Sequence, residues 1–265
     1  MEILVVGAGA MGRWFGEVLQ SAEPETVSVS FLDVDHENAR DAAATVGGRA
    51  ISAETDETFD LLCIAVPIPA ATEAIATYSK NVEHAIVDVT GTMADPVNAM
   101  AEHASECERA SLHPLFSPAN EPGNIPVVVD SGGPLTDRVL AALRARENEV
   151  FETTVERHDE AMETVQARTH AAILAFGLSA SAVSSRFQTT ISAELSDLTE
   201  QVTDGESRVY ADIQSAFEGA DDVADAARQI ADADRETFEM LYEQARIQRE
   251  DNADGDPRVD SEDNN

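Results

Sequence analysis

Lysine is almost missing from this chain. Lys80 stands alone among 265 residues, and lysine plus arginine number 17 against 51 aspartates and glutamates, a formal net charge of −34. A surface so short of cations repels the phosphates of nucleic acid and gives no purchase on an anionic membrane. Two readings fit the excess of acid: an acidic partner-binding face, or carboxylates that keep a surface hydrated in strong salt. The acids run along the whole chain, which favours a salt-adapted protein. In dilute buffer the carboxylates would repel one another over about 10 Å or more, so low salt should unfold it. Cysteine is scarce too. Cys63 and Cys107 are the only two, too few for a disulfide framework, and Cys63 reads as a small buried hydrophobe within "LLCIAVP". The histidines and cysteines lack metal-ligand spacing, so no metal is expected. No apolar run reaches the length of a membrane span. The N-terminus enters an apolar strand at once with no signal peptide, which points to the cytoplasm.

Hydrophobic residues make up 43% of the chain, enough for one large or two ordinary domains. "EILVV" reads as a strand, followed by glycines and a helical pattern. "TVSVSFLDVD" alternates as a strand, and "ENARDAAATVG" is an alanine-rich helix closed by Gly47. "DLLCIAVPI" is a continuous apolar run, as a buried parallel strand should be. "PAATEAIATYSK" is helical, "AIVDVTGT" a strand, and "DPVNAMAEHA" a helix with proline near its start. "RASLHPLF" and "IPVVVDSGG" read as further strands, and "TDRVLAALRAREN" as a helix capped by Thr136. This alternation predicts an α/β fold with a parallel, doubly wound sheet of the Rossmann type over residues 1–152. Beyond it only helical periodicity is found, which predicts an all-α substrate and dimerisation domain over 153–249. Residues 250–265 have no apolar periodicity and read as a disordered acidic tail.

"GAGAMG" places Gly7, Gly9 and Gly12 in the GxGxxG pattern, with Ala10 and Met11 between the last two. The pattern follows a strand, opens a helix and has an acid, Asp33, about 20 residues on. Gly7 permits the tight turn. Gly9 lets the backbone approach a pyrophosphate at the helix N-terminus. Gly12 allows close packing of helix on strand. Asp33 suits an adenosine ribose and repels a 2′-phosphate, so NAD is the expected cofactor over NADP. Arg40 reads as helix surface, and no further segment of the flavin type is visible. Later strand ends should line the nicotinamide side of the crevice: Val66 and Pro67 in "AVP", and Thr90, Gly91 and Thr92 in "DVTGT". Each could equally be an ordinary strand-end turn.

His113 follows the strand after "DVTGT" and should sit at the mouth of the same crevice. His158, Met162, Gln166 and His170 are spaced four apart, on one slowly drifting helical face. With three polar side chains that face is either solvated or lines a site. The apolar "AAILAFG" beside His170 favours burial, and a buried imidazole needs a partner.

These segments resemble the prephenate dehydrogenases, with the arogenate dehydrogenases as relatives. The likeness rests on "GAGAMGRWFG", "DVTGTM", "LHPLFSP", "RHDEAMETVQARTHAAILAFG" and "RVYADI", in order, and among the family it points to salt-adapted archaeal members. It implies a Rossmann domain plus a helical domain that makes a homodimer. It also implies NAD-dependent oxidative decarboxylation of prephenate to 4-hydroxyphenylpyruvate in tyrosine biosynthesis. By the same likeness His113 is the catalytic histidine, Gln166 and His170 position the substrate, and His158 with Asp159 matches the family's HD pair, read as structural or hinge-side. The chain departs from the family where a serine and a lysine are usual: here stand Gly91 and Met93, with Thr90 or Thr92 left to supply a hydroxyl. The family's carboxylate-binding arginine is not at its expected place. Arg186 lies two residues before Gln188, and Arg13 and Arg168 are the other candidates. The alternatives are arogenate dehydrogenase, a 3-hydroxyacid-type dehydrogenase, and a non-catalytic NAD-binding regulator. Lys80 lies in the wrong half for the second.

Overall fold

The structure, a computed structural model, describes residues 1–254. Eight strands form one sheet: β1 (Glu2–Val6), β2 (Ser28–Leu32), β3 (Arg49–Ala50), β4 (Phe59–Ile64), β5 (Val82–Asp88), β6 (Glu108–Leu112), β7 (Asn124–Ser131) and β8 (Glu149–Glu152). Their order across the sheet is β3-β2-β1-β4-β5-β6-β7-β8. Helices α1 (Ala10–Ala22), α2 (His36–Val46), α3 (Ala71–Tyr78), α4 (Ala94–His103) and α5 (Pro134–Ala145) connect them. The sheet therefore reverses its direction of growth between β1 and β4, where a crevice opens outside the strand ends. Ile3, Leu4, Val5, Leu61, Leu62, Cys63 and Ile86 are fully buried. Helices cover both faces of such strands, which is why their sequences are unbroken apolar runs without alternation.

Two strands depart from the expected parallel sheet. β7 pairs antiparallel to β6, and β8, parallel to β7, also runs against β1–β6. The eleven residues between β6 and β7 hold only a short turn, Pro118–Asn120. A parallel return needs a longer crossover, usually a helix, so the chain doubles back. The expected cap also moves. α5 begins at Pro134 with Gly133 before it, and Thr136 is buried inside the helix, its N–H and hydroxyl both donating to Glu108 Oε2 at 2.7 and 2.9 Å. Gly47 ends α2 with φ of 86°, as read.

After Glu152 the chain is helical: α6 (Val155–Met162), a π-helical turn Glu163–Arg168, α7 (Thr169–Ser179), α8 (Thr190–Thr203), α9 (Ser207–Ala216), α10 (Ala220–Asp232) and α11 (Arg235–Asp254). Strands end at Glu152, and the compact units divide further along the chain: Met1–Glu218 is one and the chain from Gly219 onward the other. The reason lies in α6 to α9. Met162, Ala167, Ile213 and Phe217 bury themselves against Ile68 after β4 and Leu115 after β6. Gln214 Nε2 donates to the Ala167 carbonyl at 2.9 Å, tying α9 to the π turn. The second unit holds α10 and α11. The helix α11 extends through 250–254, the first part of the expected tail, and 255–265 lie outside the described residues. No helix among the described residues is long and apolar enough to cross a membrane.

Candidate active site

The glycine loop closes β1 onto α1. Gly7 has φ of 99°, and a Cβ there would stand 2.3 Å from the Ala65 carbonyl oxygen. A Cβ on Gly12 would stand 1.9 Å from the Gly7 carbonyl oxygen. These two glycines are demanded by the protein itself. Gly9 differs: a Cβ would meet nothing within 4 Å. It caps α1 with no side-chain hydrogen bond to the first-turn N–H groups, so those donors face the open space beside it. An anion at a helix N-terminus would satisfy them, and the loop fits a pyrophosphate. Ala10 is exposed at the helix start, and Met11 is half-buried against the core. Asp33, just past β2, accepts from the Ala8 N–H at 2.7 Å and the Asp35 N–H at 2.9 Å. Each oxygen keeps acceptor capacity for a ribose hydroxyl. Arg13 is half-buried beside the loop, its Nε donating to the Ala8 carbonyl at 2.9 Å. That brings a cation to the loop of a strongly acidic chain. Arg40 is exposed.

Across the crevice, Val66 and Pro67 leave β4 half-buried, and Gly91 and Thr92 leave β5 likewise. Thr90 does otherwise. It is buried, its N–H donates to Asp88 Oδ1 at 3.1 Å, and its hydroxyl lies 2.7 Å from that oxygen and 3.1 Å from the Thr92 carbonyl. Its hydroxyl is committed to these strand-end contacts. Burial, offset in part by the Thr90 contacts, lifts the Asp88 carboxyl to about 6.

His113 stands just past β6, and the proline after it breaks no ladder. The His113 N–H still donates to the Pro126 carbonyl and the Leu115 N–H to the Asn124 carbonyl, at 3.1 and 2.9 Å, while Pro114 falls between these bonds, where no donor is needed. Phe116 meets Trp14 of α1 edge to face, centroids 5.5 Å apart. The "LHPLF" segment is thus pinned to β7 on one side and to the dinucleotide helix on the other.

The His113 ring is 7% exposed. Its Nδ1 lies 2.9 Å from Nε2 of His158, whose Nδ1 lies 2.7 Å from Asp159 Oδ1. Its Nε2 lies 3.3 Å from the Gln166 amide nitrogen. With neutral rings, one arrangement of protons satisfies the row. A carboxylate accepts, so His158 donates from Nδ1 and accepts at Nε2. His113 then donates from Nδ1, which leaves the lone pair on Nε2, where Gln166 donates. Asp159 is itself held by the Met93 N–H at 3.3 Å. The lone pair lies next to Gly91, where a Cβ would stand 3.8 Å from Nε2. Burial first, and the neighbouring His158 second, push the His113 imidazole down to about 3. The imidazole is therefore neutral across the neutral range.

The π turn aligns this row. Eight residues of α-helix overshoot two turns by roughly 80°, which would swing Gln166 off the line of His158. The wider π turn takes up the excess, and both side chains reach one ring. His170, one step further, meets Tyr210 of α9 edge to face at 4.8 Å. Burial lowers its pKa, and its Nδ1 is buried without a partner, as is Gln166 Oε1. Arg186 lies on the exposed turn Ser185–Phe187, and no contact joins it to the histidines. Arg168 is held by Thr164 at 2.9 Å and Glu163 at 3.3 Å. The hydrogen-bonded row from His113 through His158 to Asp159 is what spacing along the chain did not show. The available signal was a carboxylate directly after a histidine on a face already marked for burial.

No protein-family model matches the chain. It is similar to the 4-amino-4-deoxyprephenate dehydrogenase of Streptomyces pristinaespiralis, 29% identical over 273 residues, covering 92% of this chain and 89% of that one. Its fold matches the crystal structure of Aquifex aeolicus prephenate dehydrogenase in complex with hydroxyphenyl propionate and NAD+, with a TM-score of 0.67. That match has 15% identity and covers 95% of this chain and 98% of the other. Synechocystis arogenate dehydrogenase matches with a TM-score of 0.58 at 13% identity, over 95% of this chain and all of its own.

Proposed function

We propose that the chain is an NAD-dependent dehydrogenase that oxidises and decarboxylates prephenate to 4-hydroxyphenylpyruvate in tyrosine biosynthesis. The observation that carries the reading is the His113 ring, oriented with its Nε2 lone pair beside the open strand end at Gly91. Similarity to a prephenate-type dehydrogenase over 92% of the chain supports it.

In this reading Gly7, Gly9 and Gly12 hold the pyrophosphate and Asp33 the adenosine ribose, with Ala10, Met11, Val66, Pro67 and Gly91 lining the NAD site. When bound, the nicotinamide supplies the hydride acceptor. The chain's own residues do the rest. His113 accepts the proton of the ring hydroxyl at Nε2 as the carbonyl develops. Gln166, now donating to that atom, turns to the incoming hydroxyl, and its unpartnered oxygen is free to take a donor from the substrate. His170 and Thr92 bound the substrate space. Loss of carbon dioxide makes the product ring aromatic, so orientation of the reacting groups is the main task left to the protein. An arginine must answer the substrate's carboxylates. Arg186 serves only if the exposed 180–189 segment closes over the site, and Arg13 is already at the crevice.

The similarity to the Streptomyces enzyme favours a second reading, in which an amino group replaces the hydroxyl on the carbon that loses hydride. Arogenate, with its amino group on the side chain, is a third. Mixing NAD with each of the three compounds in concentrated salt and following NADH absorbance decides between them. Turnover of prephenate alone is the expected result. NAD binding without turnover of any would make the chain a regulator and sink the enzyme reading.

The same reading makes the protein a salt-adapted cytoplasmic homodimer that binds neither nucleic acid nor membrane. Ile191 and Leu198 on α8 and Val209 on α9 are exposed apolar side chains on helices of the expected dimer half.

A further inference from the structure

His113 is a buried base with a difficulty. Accepting a proton at Nε2 makes it a cation, and burial opposes that charge. Nothing acidic touches the ring. The atom that does touch its far nitrogen is another imidazole, His158, 2% exposed. That second ring has a carboxylate on its other nitrogen. Asp159 Oδ1 stands 2.7 Å from its Nδ1, and Asp88 on β5, fully buried, lies within electrostatic reach. The remaining neighbours of the row, Gln166 and the Met93 N–H, carry no charge.

We propose that His158, backed by Asp159, takes up the Nδ1 proton of His113 when Nε2 accepts the substrate's, so that the charge of the reaction rests on His158 and the base stays neutral. The inference depends on the reading of His113 as the base and deepens it. The substrate O–H bond breaks and an N–H bond forms at His113 Nε2. The Nδ1–H bond of His113 breaks and an N–H bond forms at His158 Nε2. Each electron pair stays on the atom that loses the proton, and nothing is oxidised or reduced by these two transfers. When the cleft empties, the steps reverse, and Nε2 gives its proton to water. His158 is thereby a positioning residue with a second task, since the hydrogen bond that orients the base is also the path of the proton. The depressed basicity of His113 supports this arrangement, because a base that cannot keep a proton gains most from passing one on.

The test uses the full chain in concentrated salt. Long-range 15N NMR of the histidine rings in the wild type should find His113 protonated at Nδ1 and bare at Nε2. The variant His158→Gln puts an amide oxygen near the place of Nε2, so it can accept from His113 but cannot carry a charge. Its NAD affinity, thermal midpoint and His113 tautomer should match the wild type. Its single-turnover rate should fall by about 10²-fold or more, and the solvent isotope effect should change from that of two protons in flight to that of one. A His113 proton found on Nε2 overturns the proposal. So does a His158→Gln rate within about threefold of wild type with the same isotope effect. A wild type that binds NAD yet turns over no prephenate-type substrate overturns the functional reading and this step with it, and the tautomer spectrum would still show whether the row is oriented as described.

Discussion

Nδ1 of His113 and Nε2 of His158 lie 2.9 Å apart, with their rings inclined at 66°. One residue comes from the loop after a strand and the other from a helix 45 positions later. Because Asp159 fixes which nitrogen of His158 carries hydrogen, it also fixes, two bonds away, which nitrogen of His113 is free. A carboxylate on the residue next to His158 thus sets which nitrogen of His113 stays free.

His113→Asn should separate folding from chemistry. The asparagine amide overlaps the Nδ1 edge of the ring and keeps a partner for His158, while the Nε2 lone pair is gone. NAD affinity, read by fluorescence titration, should stay within about twofold, and turnover should fall by about 10²- to 10⁴-fold. Comparable rates would remove His113 from the mechanism.

The acid side of the pH profile should be displaced. With His113 held down to about 3, kcat/KM should show no loss from protonation of His113 itself as pH passes the ordinary imidazole value of 6.5. The stability profile follows the same shift. Between 6.5 and about 3 the unfolded chain binds a proton that folded His113 refuses, so this group's contribution to stability is lost as pH falls. Asp88 acts in the opposite sense. Folded Asp88, raised from 3.8 to about 6, holds a proton that the unfolded chain lacks, and so gains stability as pH falls through that window. Over most of the range the two offset. Removing the first with His113→Asn should therefore raise the thermal midpoint relative to wild type as pH is taken from 7 to 4.5. A constant difference between the two proteins would contradict the shift.

The three glycines of the loop should respond differently. Gly12→Ala drives a methyl into the Gly7 carbonyl, 1.9 Å away. It should cost about 3 kcal/mol or more and lower the midpoint by several degrees. Gly9→Ala meets nothing. The fold should be untouched, while NAD affinity drops about tenfold or more because the methyl occupies the space left for the pyrophosphate. Equal losses of stability in both variants would argue that the opening at Gly9 is not a ligand space.

Salt should be a condition of folding. With 51 acids against 17 bases, unscreened repulsion favours the expanded chain. Raising potassium chloride from 0.1 M to 3 M should lift the thermal midpoint by roughly 10 °C or more, followed by circular dichroism. A midpoint that is flat or falls with salt would point back to an acidic partner-binding face.

How much was legible in the sequence differs by feature. The glycine loop, Asp33 and the alternation of strand and helix are local signals, since each depends on residues adjacent along the chain. They mark the strand ends where the crevice opens and the glycine loop beside it. The position of His113 at that crevice was also legible, because a strand in a parallel sheet has a known open end. The antiparallel turn at β7 was not, although the shortness of the link before it was there to be read.

What the sequence alone determined is the Rossmann sheet, the place of the glycine loop and the acidic surface, because steric turns, apolar runs and charge act over a few residues at a time. Only the tertiary structure decided that His158 and Asp159 stand behind His113, that Thr90 turns inward to Asp88, and that α6 to α9 join the sheet's unit. Those outcomes depend on how a π turn shifts a helical face by a fraction of a turn and on which distant side chains must share the few buried hydrogen-bond partners. Spacing along the chain does not encode that competition.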